Sequence, residues 1–262
     1  MKKEVLIAAG LVAAMACHAE AQLQAVRVIL VGDSTLAPKN GYGDALCARF
    51  KPEVRCLNMA KNGRSSGSYR AEGSWQQVMD VLKDGKGAYS ASYVLIEFGH
   101  NDQPGKPGRS TDLATEFPVN LTRYVDEVRS LGGTPLLATP LTRRSFKAGV
   151  LVNDLGPWAD VTRSVAKVHN VPLVELLATS EAAVQVMGEA EADTLAVEPP
   201  PKVSSAPADL NSIETVSNKK SAFDHTHVGP KGAELFAVMV ERLLRGAVPA
   251  LAPQFKDGDI AR

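Results

Sequence analysis

Ser34 stands in Gly32-Asp33-Ser34-Thr35, directly after the aliphatic run Val26 to Val31. A serine just past a buried strand, beside a glycine that permits a tight turn, is exposed at the rim of a sheet, where a nucleophile is useful. Serine becomes nucleophilic only when a base takes its proton. The histidines beyond the first residues are His100, His169, His225 and His227. His169 ends a helical pattern, where the helix dipole suits a cation, and reads as structural. His225 and His227 lie in Asp224-His225-Thr226-His227. An aspartate three residues before a histidine can fold back within one turn and accept a hydrogen bond from the imidazole. That bond selects the tautomer and stabilises the imidazolium, the third role in a serine triad. Taken alone, Ser34 also fits a helix cap, and Asp224, His225 and His227 also fit a surface loop or a metal clip.

A tetrahedral intermediate needs hydrogen-bond donors for its oxyanion. Two further segments carry suitable groups: Asn58-Met59-Ala60-Lys61-Asn62-Gly63-Arg64-Ser65 and Phe98-Gly99-His100-Asn101-Asp102. A glycine at 63 lets a backbone N–H approach a ligand closely, and the Asn101 amide is a fixed donor. Each alone is an ordinary turn residue. Their occurrence in this order, each after an aliphatic run, favours a common site.

The elements that must position these groups alternate. Strands are expected at Val26 to Val31, Val54 to Leu57, Tyr93 to Phe98, Pro135 to Ala138 and Pro172 to Val174. Helical spacing falls between them at Tyr42 to Phe50, Phe117 to Leu131 and Trp158 to Val168, and a last helix opens at Gly229-Pro230 and runs to Leu244. Such alternation implies right-handed βαβ units on a parallel sheet. The expected fold is therefore α/β, a three-layer α/β/α sandwich of about five parallel strands. Ligands gather beyond the carboxyl ends of such strands, where Ser34, Gly63 and Asn101 stand. Residues 189–222, with Pro199-Pro200-Pro201 and no sustained period, read as a long loop insertion that leads into Asp224.

Lys2 and Lys3, the apolar run Val5 to Ala16, and Ala19-Glu20-Ala21 form the pattern of a secretory signal peptide over residues 1–21. The run is shorter than the roughly 20 residues a membrane span needs, and no later segment is apolar for long enough. Residues 22–262 then form a single domain in the periplasm or outside the cell; lipid attachment at Cys17 is the alternative to cleavage. The 29 basic and 29 acidic residues balance, and removing the leader takes two of each. A nucleic-acid binder should carry a basic excess, so none is expected as a partner. Cys47 and Cys56 match no zinc spacing; they either pair, as nearby cysteines in an oxidising compartment often do, or remain two buried thiols.

The four blocks resemble those of the SGNH, or GDSL, hydrolases, and the resemblance covers nearly all of the chain after the leader. It rests on Gly32-Asp33-Ser34, Gly63, Gly99-His100-Asn101-Asp102, and Asp224 to His227. The chain is similar in particular to the rhamnogalacturonan acetylesterase branch, through Asn62-Gly63-Arg64-Ser65, Gln103, and Thr139-Pro140 followed by Arg143-Arg144-Ser145-Phe146. The resemblance implies a flavodoxin-like sheet, with Ser34 as nucleophile, His227 as base and Asp224 as its orienting acid. The Ser34 N–H, the Gly63 N–H and the Asn101 side chain would form the oxyanion hole. Asp33 would be structural and His225 a neighbour. It implies no metal and no organic cofactor. The substrate would be an acetylated plant polysaccharide, with xylan in place of pectin as one alternative. A lysophospholipase or thioesterase on the same scaffold is another, and a carbohydrate-binding protein with a relic site a third. Arg64, Arg143 and Arg144, with Arg70 and Arg109 nearby in sequence, are the residues expected to meet a sugar carboxylate, because a guanidinium fork matches it.

Overall fold

The computed structural model describes residues 25–198 and 224–257. The expected leader, Cys17 included, lies outside these residues, as do residues 199–222 of the expected insertion. Five parallel strands form the main sheet: β1 (Val26–Gly32), β2 (Arg55–Asn58), β3 (Ala91–Glu97), β4 (Thr134–Ala138) and, after a small antiparallel hairpin of β5 (Phe146–Lys147) and β6 (Val150–Leu151), β7 (Leu173–Val174). Their order is β2-β1-β3-β4-β7. Seven α-helices accompany them among the described residues: α1 (Gly43–Arg49), α2 (Ser68–Ala71), α3 (Ser74–Asp84), α4 (Glu116–Ser130), α5 (Gly156–Val168), α6 (Leu176–Asp193) and α7 (Pro230–Ala247), followed by a 3₁₀ turn at Pro249–Gln254.

Because successive strand residues point to opposite faces, each apolar strand feeds two cores. Val28, Leu30, Leu95, Leu136 and Val174 pack with Leu46 of α1, Val184 of α6 and Phe236, Val240 and Leu244 of α7. Ile29, Val31, Val94, Ile96 and Leu137 pack on the other face with Trp75, Val78 and Leu82 of α3, Leu121, Val125 and Val128 of α4 and Val165 of α5. The result is the expected three-layer α/β/α arrangement, and each expected element lies within three residues of an observed one at either end.

Several features differ from the reading of the sequence, among them helix α2 and the β5–β6 hairpin. Helix α3 is an additional element, although Trp75, Val78, Met79 and Leu82 share one buried face. Helix α6 is also additional. Its run of alanines and small polar residues has weak periodicity, and Gly188 (φ +72°) interrupts its helical backbone. The expected insertion accordingly starts too early: α6 continues through Asp193, and Ala196 forms a bridge with Val228. Cys47 of α1 and Cys56 of β2 form a disulfide with their Cα atoms 5.4 Å apart.

Candidate active site

The parallel order places the ends of β2, β1 and β3 side by side. Leu30 pairs with Asn58 on one flank and Leu95 on the other, and Gly32 pairs with Glu97. The Gly32 Cα faces the Glu97 carbonyl so closely that a Cβ would sit 2.5 Å from its oxygen, so only glycine lets β1 end there. The chain then turns sharply. Asp33 O accepts the N–H groups of Leu36 and Ala37 at 3.3 and 3.0 Å, and Asp33 Oδ1 accepts the Thr35 N–H at 2.9 Å. Asp33 is fully buried and Ser34 only 5% exposed. Burial alone would raise the Asp33 pKa, but His100, whose Nδ1 is 3.4 Å from Oδ2, and the Thr35 donors outweigh it and hold the carboxyl below its ordinary range.

The segment after β2 is drawn to this turn by Lys61 N–H, which donates to Gly32 O at 3.0 Å. Gly63 adopts φ +74°, a conformation that costs a residue with a Cβ. Asn101 Nδ2 donates to Arg64 O at 3.1 Å while its Oδ1 accepts from Arg109 Nη1 at 3.3 Å. An amide nitrogen carries two hydrogens, so this bond leaves the second for another acceptor. Asp102 fastens the same two segments together: its Oδ1 accepts the Ser66 N–H and Oγ–H at 3.1 and 2.6 Å and the Thr111 hydroxyl at 2.8 Å. Burial outweighs these bonds and pushes Asp102 up to about 6.

The acid–base candidates come from the short turn before α7. His227 Nδ1 lies 2.5 Å from Asp224 Oδ2, and Asp224 Oδ1 accepts the N–H groups of Thr226 and His227 at 2.8 and 3.0 Å. Partial burial opposes ionisation of Asp224, yet the bonds from His227 and Thr226 prevail and hold its pKa below the ordinary value. Val228 N–H donates to Asn40 O at 3.0 Å, which ties this turn to the loop that follows Ser34. His225 is set apart, with Nδ1 3.6 Å from Asp193 Oδ1. His100 is buried against Asp33, and His169 closes α5 near Thr122.

The arginines divide. Arg144 is fully buried. Its Nη2 donates to both Asp224 O and His227 O at 2.8 Å, and its own N–H donates to His225 O at 2.8 Å. The expectation that Arg144 meets substrate is therefore corrected: its guanidinium is spent on the carbonyls of the acid–base turn. Burial lowers its pKa to about 10, which leaves it charged at neutral pH. Arg70 is turned away as well, paired with Glu127 at 2.6 Å and stacked over Tyr124. Arg143 bonds Asp154, Thr226 Oγ1 and Gln103 Oε1 at 2.9, 2.6 and 2.7 Å, and so joins the β4 exit to the β3 exit and to the acid–base turn. Arg64 pairs with Glu72 at 2.8 Å and stays partly exposed. Lys106, not singled out from the sequence, donates to His100 O. Burial first, then repulsion from Arg143 and Arg109, lowers its pKa. Nothing in its local sequence distinguishes it; only the folded loop brings it to these cations.

Among the described residues no cluster of histidine, cysteine and carboxylate side chains has the makings of a metal site, and no helix is long and apolar enough to cross a membrane. The profile of the GDSL-like lipase/acylhydrolase family matches residues 30–234. A rhamnogalacturonan acetylesterase of Bacillus subtilis (strain 168) is 31% identical over 245 residues, 90% of this chain and 95% of that protein. A probable rhamnogalacturonan acetylesterase of the same organism is 30% identical over 169 residues, 62% of this chain and 75% of that protein. Among solved structures, a Bacillus subtilis protein superposes with a TM-score of 0.65 at 19% identity, over 86% of this chain and 57% of that one. An acetyl xylan esterase from Geobacillus stearothermophilus gives a TM-score of 0.57 at 16% identity, over 83% and 94%. These structural likenesses speak to the fold.

Proposed function

The chain belongs to the GDSL-like lipase/acylhydrolase family and is a carboxylic ester hydrolase; from that premise we propose that it removes acetyl groups from pectic rhamnogalacturonan by a Ser34–His227–Asp224 triad. Ser34 Oγ attacks the acetyl carbonyl as His227 takes its proton. The same imidazole then protonates the departing sugar alkoxide, and water repeats the sequence on the acetyl-enzyme. The N–H groups of Ser34 and Gly63 and the Asn101 amide receive the oxyanion. The observation that carries the proposal is the His227–Asp224 contact at 2.5 Å, which leaves Nε2 to act as base.

Two features support an acidic polymer as substrate. The Bacillus subtilis relative that matches nearly end to end is a rhamnogalacturonan acetylesterase. Arg109 bonds the Asn101 side chain, and Lys106 lies close enough to Arg109 and Arg143 to feel their repulsion. A sugar carboxylate entering there relieves that repulsion, whereas a neutral polymer gains nothing from it. Export completes the proposal: the leader-like residues 1–21 and the Cys47–Cys56 disulfide both suit an oxidising compartment.

A fluorophosphonate probe should label wild-type protein at Ser34 and leave Ser34→Ala unlabelled. Labelling that persists in Ser34→Ala would remove Ser34 as nucleophile, and a wild-type protein that never labels would favour the relic-site alternative.

A further inference from the structure

Beneath the nucleophile turn lies a carboxyl group that the esterase chemistry does not use. Glu97 is the last residue of β3 and is fully buried. Its Oε1 accepts the Leu141 N–H at 3.1 Å and its Oε2 accepts the Tyr42 hydroxyl. The Thr35 hydroxyl lies 2.9 Å from Glu97 Oε1 and also 2.9 Å from Asp33 Oδ1. Thr35 has one hydroxyl hydrogen. If both carboxyl groups were ionised, one of these two contacts would set lone pair against lone pair, with two buried negative charges about one hydroxyl. A single added proton resolves both problems. Asp33 is the worse place for it, because His100 and the Thr35 N–H favour its charged form. Glu97 faces only neutral donors in these contacts.

We propose that Glu97 is a positioning residue that works as the neutral acid, donating its proton to Thr35 Oγ1 so that the Thr35 hydroxyl donates to ionised Asp33. The chain of bonds then runs in one direction, from Glu97 through Thr35 to Asp33, and holds the residue next to Ser34 by both its N–H and its hydroxyl. The groups facing this chain are Tyr42 at the start of α1, the Leu141 N–H after β4, and His100 after β3, on the far side of Asp33. Burial first, then the Asp33 charge, raises the Glu97 pKa to about 7, in keeping with this assignment. Loss of the proton would place two charges about Thr35 and force the nucleophile turn to open or admit water.

The test is Glu97→Gln, whose amide stays neutral at every pH and can donate an N–H to Thr35 Oγ1 while its oxygen accepts the Tyr42 hydroxyl, at the loss of the Leu141 contact. Three readouts are expected. The infrared band of protonated carboxyl groups at about pH 6 is stronger in wild type than in the variant, where the remainder belongs to Asp102. The sign of the stability effect follows from a folded pKa raised above the unfolded one: the contribution is complete below the unfolded value and is lost as pH rises through the folded value. Wild type should therefore lose melting temperature relative to Glu97→Gln between about pH 5 and about pH 8. In turnover, kcat of wild type should fall at least about fivefold relative to the variant between about pH 6 and about pH 9, with KM unchanged. This third readout rests on Ser34 as nucleophile. The first two do not, so they stand if the esterase reading fails. A variant with the same infrared spectrum and the same pH dependence of melting as wild type would overturn the inference. Should Glu97→Gln not fold, carbon-13 glutamate labelling of a Glu181→Gln protein decides, Glu181 being another carboxyl that burial raises. A protonated glutamic acid band must then persist at about pH 6.5, and its absence overturns the inference.

Discussion

Ser34→Ala is expected to lower kcat by about 10⁴-fold or more, since neither remaining triad group can replace the lost oxygen. Its effect on the melting temperature should be small, because the change removes a single oxygen and leaves no large cavity; near-normal turnover by the purified variant would end the triad proposal. Asp224→Asn should cost about 10²- to 10⁴-fold in kcat, because the amide presents His227 in a poorer tautomer. On the alkaline side the rate of wild type should fall as Glu97 ionises, and that of Glu97→Gln should not. At the acid end a second effect adds. The Asp224 pKa is depressed in the fold, so its contribution to stability is present above the ordinary carboxylate range and is lost as pH falls through the lower folded value. Asp224→Asn should flatten that acid loss of melting temperature, and an unchanged slope would contradict the geometry of the turn.

At the scale of elements, the acid–base turn depends on a neighbour distant in sequence. Arg144, just after β4, holds the carbonyls of Asp224 and His227 with one nitrogen. A neutral replacement leaves those acceptors without a charged donor, at a cost of about 1–3 kcal/mol each if they remain dry. Arg144→Met should therefore lower both the melting temperature and kcat, by about 10-fold or more in the latter, with KM moving little. Arg144→Lys keeps the charge but not the fork and should fall between. A rise in KM with kcat untouched would instead restore Arg144 to the role in substrate binding that its sequence position suggested. The β2 and β3 exits are joined in a comparable way by Asp102, which bonds Ser66 and Thr111 at once.

For the molecule as a whole, the balanced charge of the sequence hides a local excess at Lys106 and Arg109. Acetate release from acetylated rhamnogalacturonan should exceed that from neutral acetylated xylan at low salt. Raising the ionic strength should narrow the gap, since the Debye length shrinks to about 3 Å at 1 M. Lys106→Gln with Arg109→Gln should narrow it without salt. Equal rates on both polymers at low salt would remove the acidic substrate and leave the esterase in place. The disulfide sits elsewhere, near the start of β2 and away from the strand ends that carry the site. Replacing Cys47 and Cys56 by serine should cost about 2–3 kcal/mol on loop entropy and leave kcat within about twofold; a collapse of kcat would tie that edge of the sheet to the site.

The order of strands and helices was legible because each buried strand is a short aliphatic run and the main helices bury one periodic face. Gly32, Ser34, Gly63, Asn101, Asp224 and His227 were legible because each lies in a short motif whose chemistry is local. Even the Asp224–His227 bond spans a single turn. Helix α6 and the true start of the segment before Asp224 were not, since weak periodicity leaves the helix to be decided by packing on α7 and on the β5–β6 hairpin. The same limit governs the polar groups. Arg144 reads like Arg143 in the chain, yet one is buried under residues 224–227 and the other bonds Gln103 and Asp154 at the surface. Glu97 closes an apolar strand and signals only that something must satisfy it. Its partners Thr35, Tyr42 and Leu141 are 62, 55 and 44 residues away. Hydrogen bonds and charges act over a few ångströms of space whatever the separation along the chain, so the tertiary structure alone decides which of these side chains meet.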